Sequence, residues 1–226
     1  VELFNRRSFL SLAALSLCPI NSQAYILPAY GIIRETKAKL IGSRNLKIRL
    51  ETQVWNHQDR GLKTLSEQWD FANPNHFQLI RKSTEAPYAM TGRVASQAPY
   101  LPDSNVQKVL LGLFGHQGLE SVIDHFRIET KKRRLALLNE SPMFVLGSKN
   151  HQSSAPEIWI DKENWHIRRV KFNTLAGIYD LRLSDWSTPV TRGLFPGELT
   201  VKFNHRPIRL SKTTKVEFSK ERMNRD

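Results

Sequence analysis

Residues 46–54, LKIRLETQV, decide the fold class of this 226-residue chain. Every second residue there is apolar or a threonine, and the residues between them are charged or polar. This period of two is typical of a strand with one buried and one wet face. Residues 65–71, LSEQWDF, repeat the pattern, although Glu67 falls on the apolar face. The two segments therefore predict neighbouring strands that share one apolar face.

The same alternation continues along most of the chain. A third strand is predicted around Phe77 and Leu79, after the turn residues 73–75, and a fourth at 88–95. The remaining strands are predicted at 127–138, 142–148, 156–161, 166–172, 177–186, 197–204 and 206–218, separated mostly by short segments rich in Asn, Asp and Pro. About eleven strands joined by short turns predict a mainly β fold built on a single antiparallel sheet.

Three segments have helical spacing instead. Residues 27–41 place Tyr30, Ile33, Lys37 and Leu40 on one face. Ser104 is a suitable N-cap for a second helix that ends at Gly115, and a short third helix is predicted at 119–125. No linker interrupts residues 25–226, so we expect one domain.

The charge balance is strongly basic, with 34 Lys and Arg against 21 Asp and Glu, a net charge of +13. Such a surface attracts nucleic acid, anionic lipid headgroups or acidic partners. The basic residues are spread along the whole chain, and the tightest cluster, residues 131–134, is typical of a solvated turn. We therefore expect no nucleic-acid binding.

A search for catalytic groups finds little. The seven histidines are scattered without metal-ligand spacing, and neither a nucleophile elbow nor a phosphate-binding loop is present. Asp161 and Glu163 are close in sequence, but a tight turn exposes such carboxylates to water. We expect a protein that is not an enzyme and that uses no metal and no cofactor.

The first 24 residues have the features of an export signal. Arg6 and Arg7 precede Phe9, Leu10 and a short apolar run, which is the pattern of a twin-arginine signal. Small residues lead up to Ala24, after which we predict cleavage. The alternative is lipid attachment at Cys18, although Leu17 stands where a lipidation motif has a small residue. Either way the sequence predicts a periplasmic location.

Three motifs in a fixed order resemble the LolA/LolB-like family of periplasmic lipoprotein carriers. They are residues 69–79 (WDFANPNHFQL), 156–167 (PEIWIDKENWHI) and 193–199 (GLFPGEL), placed around a central helix. The likeness extends over most of residues 27–218. One departure is Asn73, since carriers of this family often have a basic residue just before the turn proline.

The resemblance implies a strongly curved, unclosed antiparallel barrel whose mouth is covered by helices. It also implies a monomer whose apolar concave face binds lipid or lipoprotein acyl chains, with membrane proteins of the envelope as further partners. The alternative is a non-catalytic sensor or protein-binding module that uses the basic surface. The expected cavity residues are Leu50, Val54, Trp69, Phe71, Phe77, Leu79, Leu110, Leu113, Phe114, Trp159 and Phe172.

Within this interpretation, the helix at 104–115 is a lid. A lid buries its apolar face against a removable ligand, whereas a core helix buries it against fixed side chains. Truncating a lid residue should therefore cost less than the roughly 2–5 kcal/mol that is typical of a packed core.

Replacing Arg6 and Arg7 together by lysine should leave the precursor in the cytoplasm, because a twin-arginine translocon reads the pair itself and not its charge. Cell fractionation followed by immunoblotting measures the result, and single replacements serve as the control. Normal export of the double variant would point to the general secretory route.

Overall fold

A computed structural model describes residues 26–41, 46–56, 61–71, 78–82, 88–91, 104–150 and 154–218. Of residues 78–82 and 88–91 the backbone alone is described. The predicted signal peptide, Phe77 and residues 92–95 lie outside this description.

The described residues form three helices and eleven strands in nearly the predicted order. The helices are α1 (Ala29–Ile41), α2 (Ser104–Phe114) and α3 (Leu119–His125). The strands are β1 (Leu46–Asn56), β2 (Gly61–Asp70), β3 (Gln78–Lys82), β4 (Tyr88–Thr91), β5 (Arg133–Leu138), β6 (Ser141–Leu146), β7 (Glu157–Asp161), β8 (Ile167–Thr174), β9 (Gly177–Ser184), β10 (Glu198–Phe203) and β11 (Arg206–Phe218).

All eleven strands belong to one antiparallel sheet, in the order β4-β3-β2-β1-β11-β10-β9-β8-β7-β6-β5. Neighbours in the sheet are neighbours in sequence except at β1 and β11, where Leu46 pairs with Phe218 and Lys47 with Glu217. That pairing joins the first four strands to the last seven. The edge strands β4 and β5 do not pair with each other, so the sheet is not closed into a barrel. The predicted fold class is confirmed.

One face of the curved sheet, here called the inner face, packs against the three helices in a single apolar core. The alternation predicted for β1 is correct: Leu46, Ile48, Leu50 and Thr52 are buried, and Val54 is partly buried. The other inner residues include Trp69, Val170, Phe172, Leu181, Leu183, Leu199 and Val201, against Ile32, Leu40, Val106, Val109, Leu110, Leu113, Phe114 and Val122 of the helices. The opposite face is called the outer face.

The predicted apolar face of α1 was wrong by part of a turn. The helix buries Ile32, Thr36 and Leu40, whereas Tyr30 is 73% exposed. Burial of Thr36 is tolerated because its hydroxyl donates a hydrogen bond to the Ile32 carbonyl, at 2.8 Å. Because Thr36, a polar residue, lies at the centre of the buried face, the pattern of apolar residues did not predict that face.

Two predicted strands were too long. Residues before Arg133 form turns, with Arg127 at a φ of 53°, so β5 begins six residues later than expected. Strand β9 ends at Ser184, and Trp186 lies in the following loop with its ring buried. In both places a buried apolar side chain next to the strand, Ile128 before β5 and Trp186 after β9, made the strand appear longer in the sequence than it is.

Glu67 lies on the inner face, as its position in the pattern predicted, and is buried in an ion pair with Arg209 of β11. The pair spans β1, which lies between β2 and β11. The Thr52 hydroxyl is 3.2 Å from Glu67 Oε2 and 2.9 Å from the Ser211 hydroxyl, and Trp69 Nε1 is 3.4 Å from the same carboxylate oxygen. These polar groups fix the register of three strands inside an apolar surface.

Replacing Arg209 by Met should lower the free energy of unfolding by about 3–5 kcal/mol, because it leaves the Glu67 carboxylate buried without its counter-charge. Adding Glu67→Leu to that variant should recover most of the loss. Denaturant unfolding of both single variants and of the double variant measures the coupling.

The control is the partly exposed pair of Lys47 and Asp70, at 3.1 Å. Lys47→Met should cost no more than about 1 kcal/mol, since solvent screens such a pair. Equal losses at the two sites would contradict the assignment of Arg209 as a buried charge.

Candidate functional site

A cluster of four aromatic rings occupies the inner face where α2 ends. Phe114 lies with its ring centroid 4.5 Å from Phe195, 6.1 Å from Trp186 and 6.2 Å from Phe71. All four side chains are at most 2% exposed. The cluster fixes the C-terminal end of α2 to the sheet and to the loop between β9 and β10.

That loop owes its shape to two glycines of the 193–199 motif. Gly193 has a φ of +74°, and its N–H donates to the Trp186 carbonyl at 2.9 Å. At Gly197 a Cβ would lie 2.7 Å from the Asp185 carbonyl oxygen, so a larger residue would push the loop off the sheet. The motif therefore positions Phe195 within the aromatic cluster.

Most of the predicted cavity residues come together on the inner face. Seven of them are at most 2% exposed: Leu50, Trp69, Phe71, Leu110, Leu113, Phe114 and Phe172. Val54 lies on the same face near the end of β1, and Leu79 pairs with Trp69 in the register of β2 and β3. Where they are described, these side chains pack against one another, which is the packing of a fixed core helix and not of a lid.

The prediction for Trp159 was wrong, because its side chain lies on the outer face. Ile158 and Ile160 of β7 point into the main core, so the residue between them points away from it. Trp159 packs instead with Met143 and Val145 in a second, smaller cluster. All five residues of β7 are buried, because both faces of this strand are covered. The sequence of apolar residues therefore does not show which face Trp159 occupies. One feature of the sequence does indicate the outer face: Trp159 alternates in phase with the acids at 157 and 161.

Charged groups surround Trp159 on the outer face. The guanidinium carbons of Arg134 and Arg169 lie 4.9 and 5.1 Å from its ring centroid. Its indole N–H donates to Glu157 Oε2 at 2.9 Å, and Glu157 in turn pairs with Arg134 at 3.1 Å. The ring therefore supports a network of cations on the face opposite the helices.

His166 is the described titratable group with the largest change of pKa. Its ring stacks on Trp186 at 4.3 Å and is 5% exposed. Burial lowers the pKa of His166 to about 4, and the charges of Lys39 and Arg168 act in the same direction. The imidazole is therefore neutral at neutral pH and belongs to the wall of the aromatic cluster.

A pocket of about 300 Å³ opens on the inner face at the end of β11, where the ends of the strands and not the sheet's edge strands form the margin. This edge pocket lies between the β9–β10 loop and the end of β11. Leu194 and Val216 pack against the main core, while Val190 and Phe218 are 42% and 63% exposed. The other lining residues are Pro189, Thr191, Arg192, Thr214 and Lys215.

Sequence reasoning did not identify the edge pocket. A register shift between Arg49 and Leu50 of β1 interrupts the alternation of β11, and it places Val216 and Phe218 opposite Ile48 and Leu46 on the inner face. The loop that forms its other wall has no regular pattern. Its position could not be derived from local sequence.

Neither a metal site nor a membrane-spanning helix is found in the described part of the chain. Its acids and histidines form no group of three that could bind an ion, and none of its helices is long and apolar enough to cross a membrane.

The comparison with solved structures identifies the fold. A LolA superfamily protein from Nitrosomonas europaea superposes with a TM-score of 0.51 over 85% of this chain and 94% of its own, at 8% identity. A domain assigned to outer membrane lipoprotein sorting, from Vibrio parahaemolyticus, gives a TM-score of 0.52 over 84% and 92%, at 12% identity. The sequence matches no family model and no curated protein. The chain thus has a LolA-like fold, as the three motifs predicted.

Replacing Phe114 by Ala should lower the free energy of unfolding by about 3–5 kcal/mol, the range expected for a phenylalanine in a packed core. The reason is that Phe195 and Trp186 are fixed neighbours that cannot fill the space it leaves. Chemical denaturation measures the change, and Leu175→Ala in the exposed β8–β9 turn is the control, with an expected change within about 0.5 kcal/mol. A loss at Phe114 as small as that of the control would restore the lid interpretation.

Proposed function

We propose that this protein is a periplasmic carrier or binding protein for the acyl chains of lipids or lipoproteins. The end of an acyl chain would enter the edge pocket, at the margin of the packed inner face. The protein would act without catalysis, since the site offers apolar surface and cations and no group poised for proton transfer.

The observation that carries this proposal is the edge pocket itself. Its lining combines apolar side chains with hydroxyl groups and two cations. It opens to solvent through Val190 and Phe218, and its inner wall is continuous with the main core through Leu194 and Val216. Exposed large apolar side chains around a concave site are the usual mark of an apolar ligand. Its volume of about 300 Å³ accommodates part of an acyl chain, so deeper entry requires movement of the β9–β10 loop.

The charges beside the pocket fit an anionic amphiphile. Arg192 and Lys215 are exposed and line it together with the apolar residues. A carboxylate or phosphate headgroup could pair with Arg192 while its chain enters the pocket. Lys215 pairs with Glu217 at 2.6 Å, and a headgroup would compete with that exposed and therefore weak ion pair.

The fold and the N-terminal sequence agree with this role. The Vibrio parahaemolyticus domain of the same fold is assigned to lipoprotein sorting. The predicted signal at residues 1–24 would deliver the protein to the periplasm, where such a carrier works. One fold hosts several tasks, so the pocket and not the fold has to be tested.

The test is a titration of the full mature chain with a fluorescent fatty acid, 11-(dansylamino)undecanoic acid. Phe218→Asp should weaken binding at least tenfold, because it places a charge at the entrance, whereas Phe218→Leu should bind nearly as well as the wild type. Leu175→Asp is the matched control, since it adds the same charge to an exposed apolar residue far along the sequence. No saturable binding to the wild type, or equal losses in the two Asp variants, would reject the proposal.

A protein-binding or sensor module is the second candidate. The dense packing of the aromatic cluster favours it, since a rigid core leaves the surface as the working part of the molecule. Failure of the fatty-acid titration, with a stable fold, would leave this candidate in place.

A further inference from the structure

The outer face concentrates positive charge around a single carboxylate, Asp180 of β9. Arg169 of β8 donates to its two oxygens from Nε and Nη2, at 2.7 and 2.9 Å. Arg182 reaches the same carboxylate at 3.4 Å, and Lys171 and Lys202 are its partners in the register of β8 and β10. Four basic residues thus surround one acid.

The arrangement leaves two cations poorly neutralised. Arg169 and Arg182 lie directly opposite each other in the β8–β9 pair, where like charges repel. Because Arg169 occupies Asp180, the Nε of Arg182 is buried without a hydrogen-bond partner. Lys202 makes no ion pair in the described part of the chain. An unpaired buried donor beside an unneutralised cation is costly unless an anion satisfies it.

Arg182 and Lys202 both line a groove of about 460 Å³ on the outer face. Hydroxyl groups of Ser141, Ser184 and Thr200 also line it, and Leu138 and Met143 form an apolar end. Arg168 is a third lining cation, but Asp161 binds it at 3.1 and 3.2 Å. The groove therefore offers Lys202 and the weakly paired Arg182 as cations, with hydroxyl groups beside them, and the carboxylates of Asp185 and Glu198 also line it.

We propose that this outer groove binds one organic phosphate, of the kind found in a glycerophospholipid headgroup, between Arg182 and Lys202. A phosphate group accepts several charge-assisted hydrogen bonds at once and relieves the repulsion between Arg169 and Arg182. Leu138, which is partly exposed and packs on the buried Met143, would contact the glycerol. This site lies on the face opposite the edge pocket, so it does not depend on the proposed carrier function.

The other anions fit less well. Because Asp185 and Glu198 repel any anion that comes near them, the groove suits one compact anion held at Arg182 and Lys202 better than a run of carboxylates such as an acidic peptide. A nucleic acid needs a row of phosphate contacts, and two available cations do not supply one. A single compact anion with an organic substituent matches the number of charges and the apolar end.

The test is calorimetric titration of the full mature chain with inorganic phosphate, sn-glycerol 3-phosphate and tetraglutamate, at constant ionic strength. We expect saturable binding of glycerol 3-phosphate, at least as tight as that of inorganic phosphate, and no binding of tetraglutamate. The arginine Nε–Hε resonances followed by NMR should shift on binding at one site, and that signal should be missing in Arg182→Gln.

The double variant R182Q/K202Q should lose tenfold or more in affinity for glycerol 3-phosphate. The matched control is K149Q/R206Q, which removes the same charge from two exposed residues outside the groove and should stay within twofold of the wild type. R182K should recover part of the affinity. The fluorescent fatty acid should bind R182Q/K202Q as it binds the wild type, which separates this site from the edge pocket.

Each of four results would overturn the proposal. They are no saturable binding of glycerol 3-phosphate to the wild type, an equal loss in the control pair, binding of inorganic phosphate alone, and tighter binding of tetraglutamate. The last would assign the groove to an acidic protein segment. Removing Arg182 relieves a like-charge pair, so R182Q/K202Q should melt within a few degrees of the wild type, and a melting curve confirms that a binding loss is local.

Discussion

An unclosed sheet of eleven strands has one large apolar face, and the structure depends on covering it. The aromatic contact between Phe114 and the pair Phe195 and Trp186 is where this coverage is fixed. It joins α2 to the loop that follows β9, so one contact connects helix, loop and sheet. Aromatic rings suit this place because each buries a large apolar area with few rotatable bonds. The contact adds to the burial of Val106, Val109, Leu110 and Leu113 and fixes the C-terminal end of α2 over the sheet.

The same constraint explains where the apolar surface remains open. The three helices cover the middle of the inner face, but β11 continues to Phe218, which the β9–β10 loop approaches without burying it. The edge pocket forms there because the strand is longer than its cover. The candidate ligand site thus exists because β11 is longer than the helices and loop that cover it, and it lies at the margin of a densely packed core.

Polar groups inside and outside the sheet have different effects. On the inner face, Glu67 and Arg209 neutralise each other almost without exposure to water, so they specify register and offer nothing to a ligand. On the outer face, Asp180 is shared by more cations than it can neutralise. The surplus there is available to bind an anion, which is the physical basis for assigning the two faces different tasks.

The sequence by itself determined the class of fold, nearly all the strands and helices, and the burial of Glu67. These follow from the period of side chains along one strand or helix, which is a local property. It did not determine the face of Trp159, since an apolar run buried on both sides carries no alternation, nor the face of α1, where Thr36 interrupts the pattern. The edge pocket and the crowding around Asp180 were decided by the tertiary structure alone. Each brings together residues from separate strands, and pairing register sets such distances only after the whole sheet has formed.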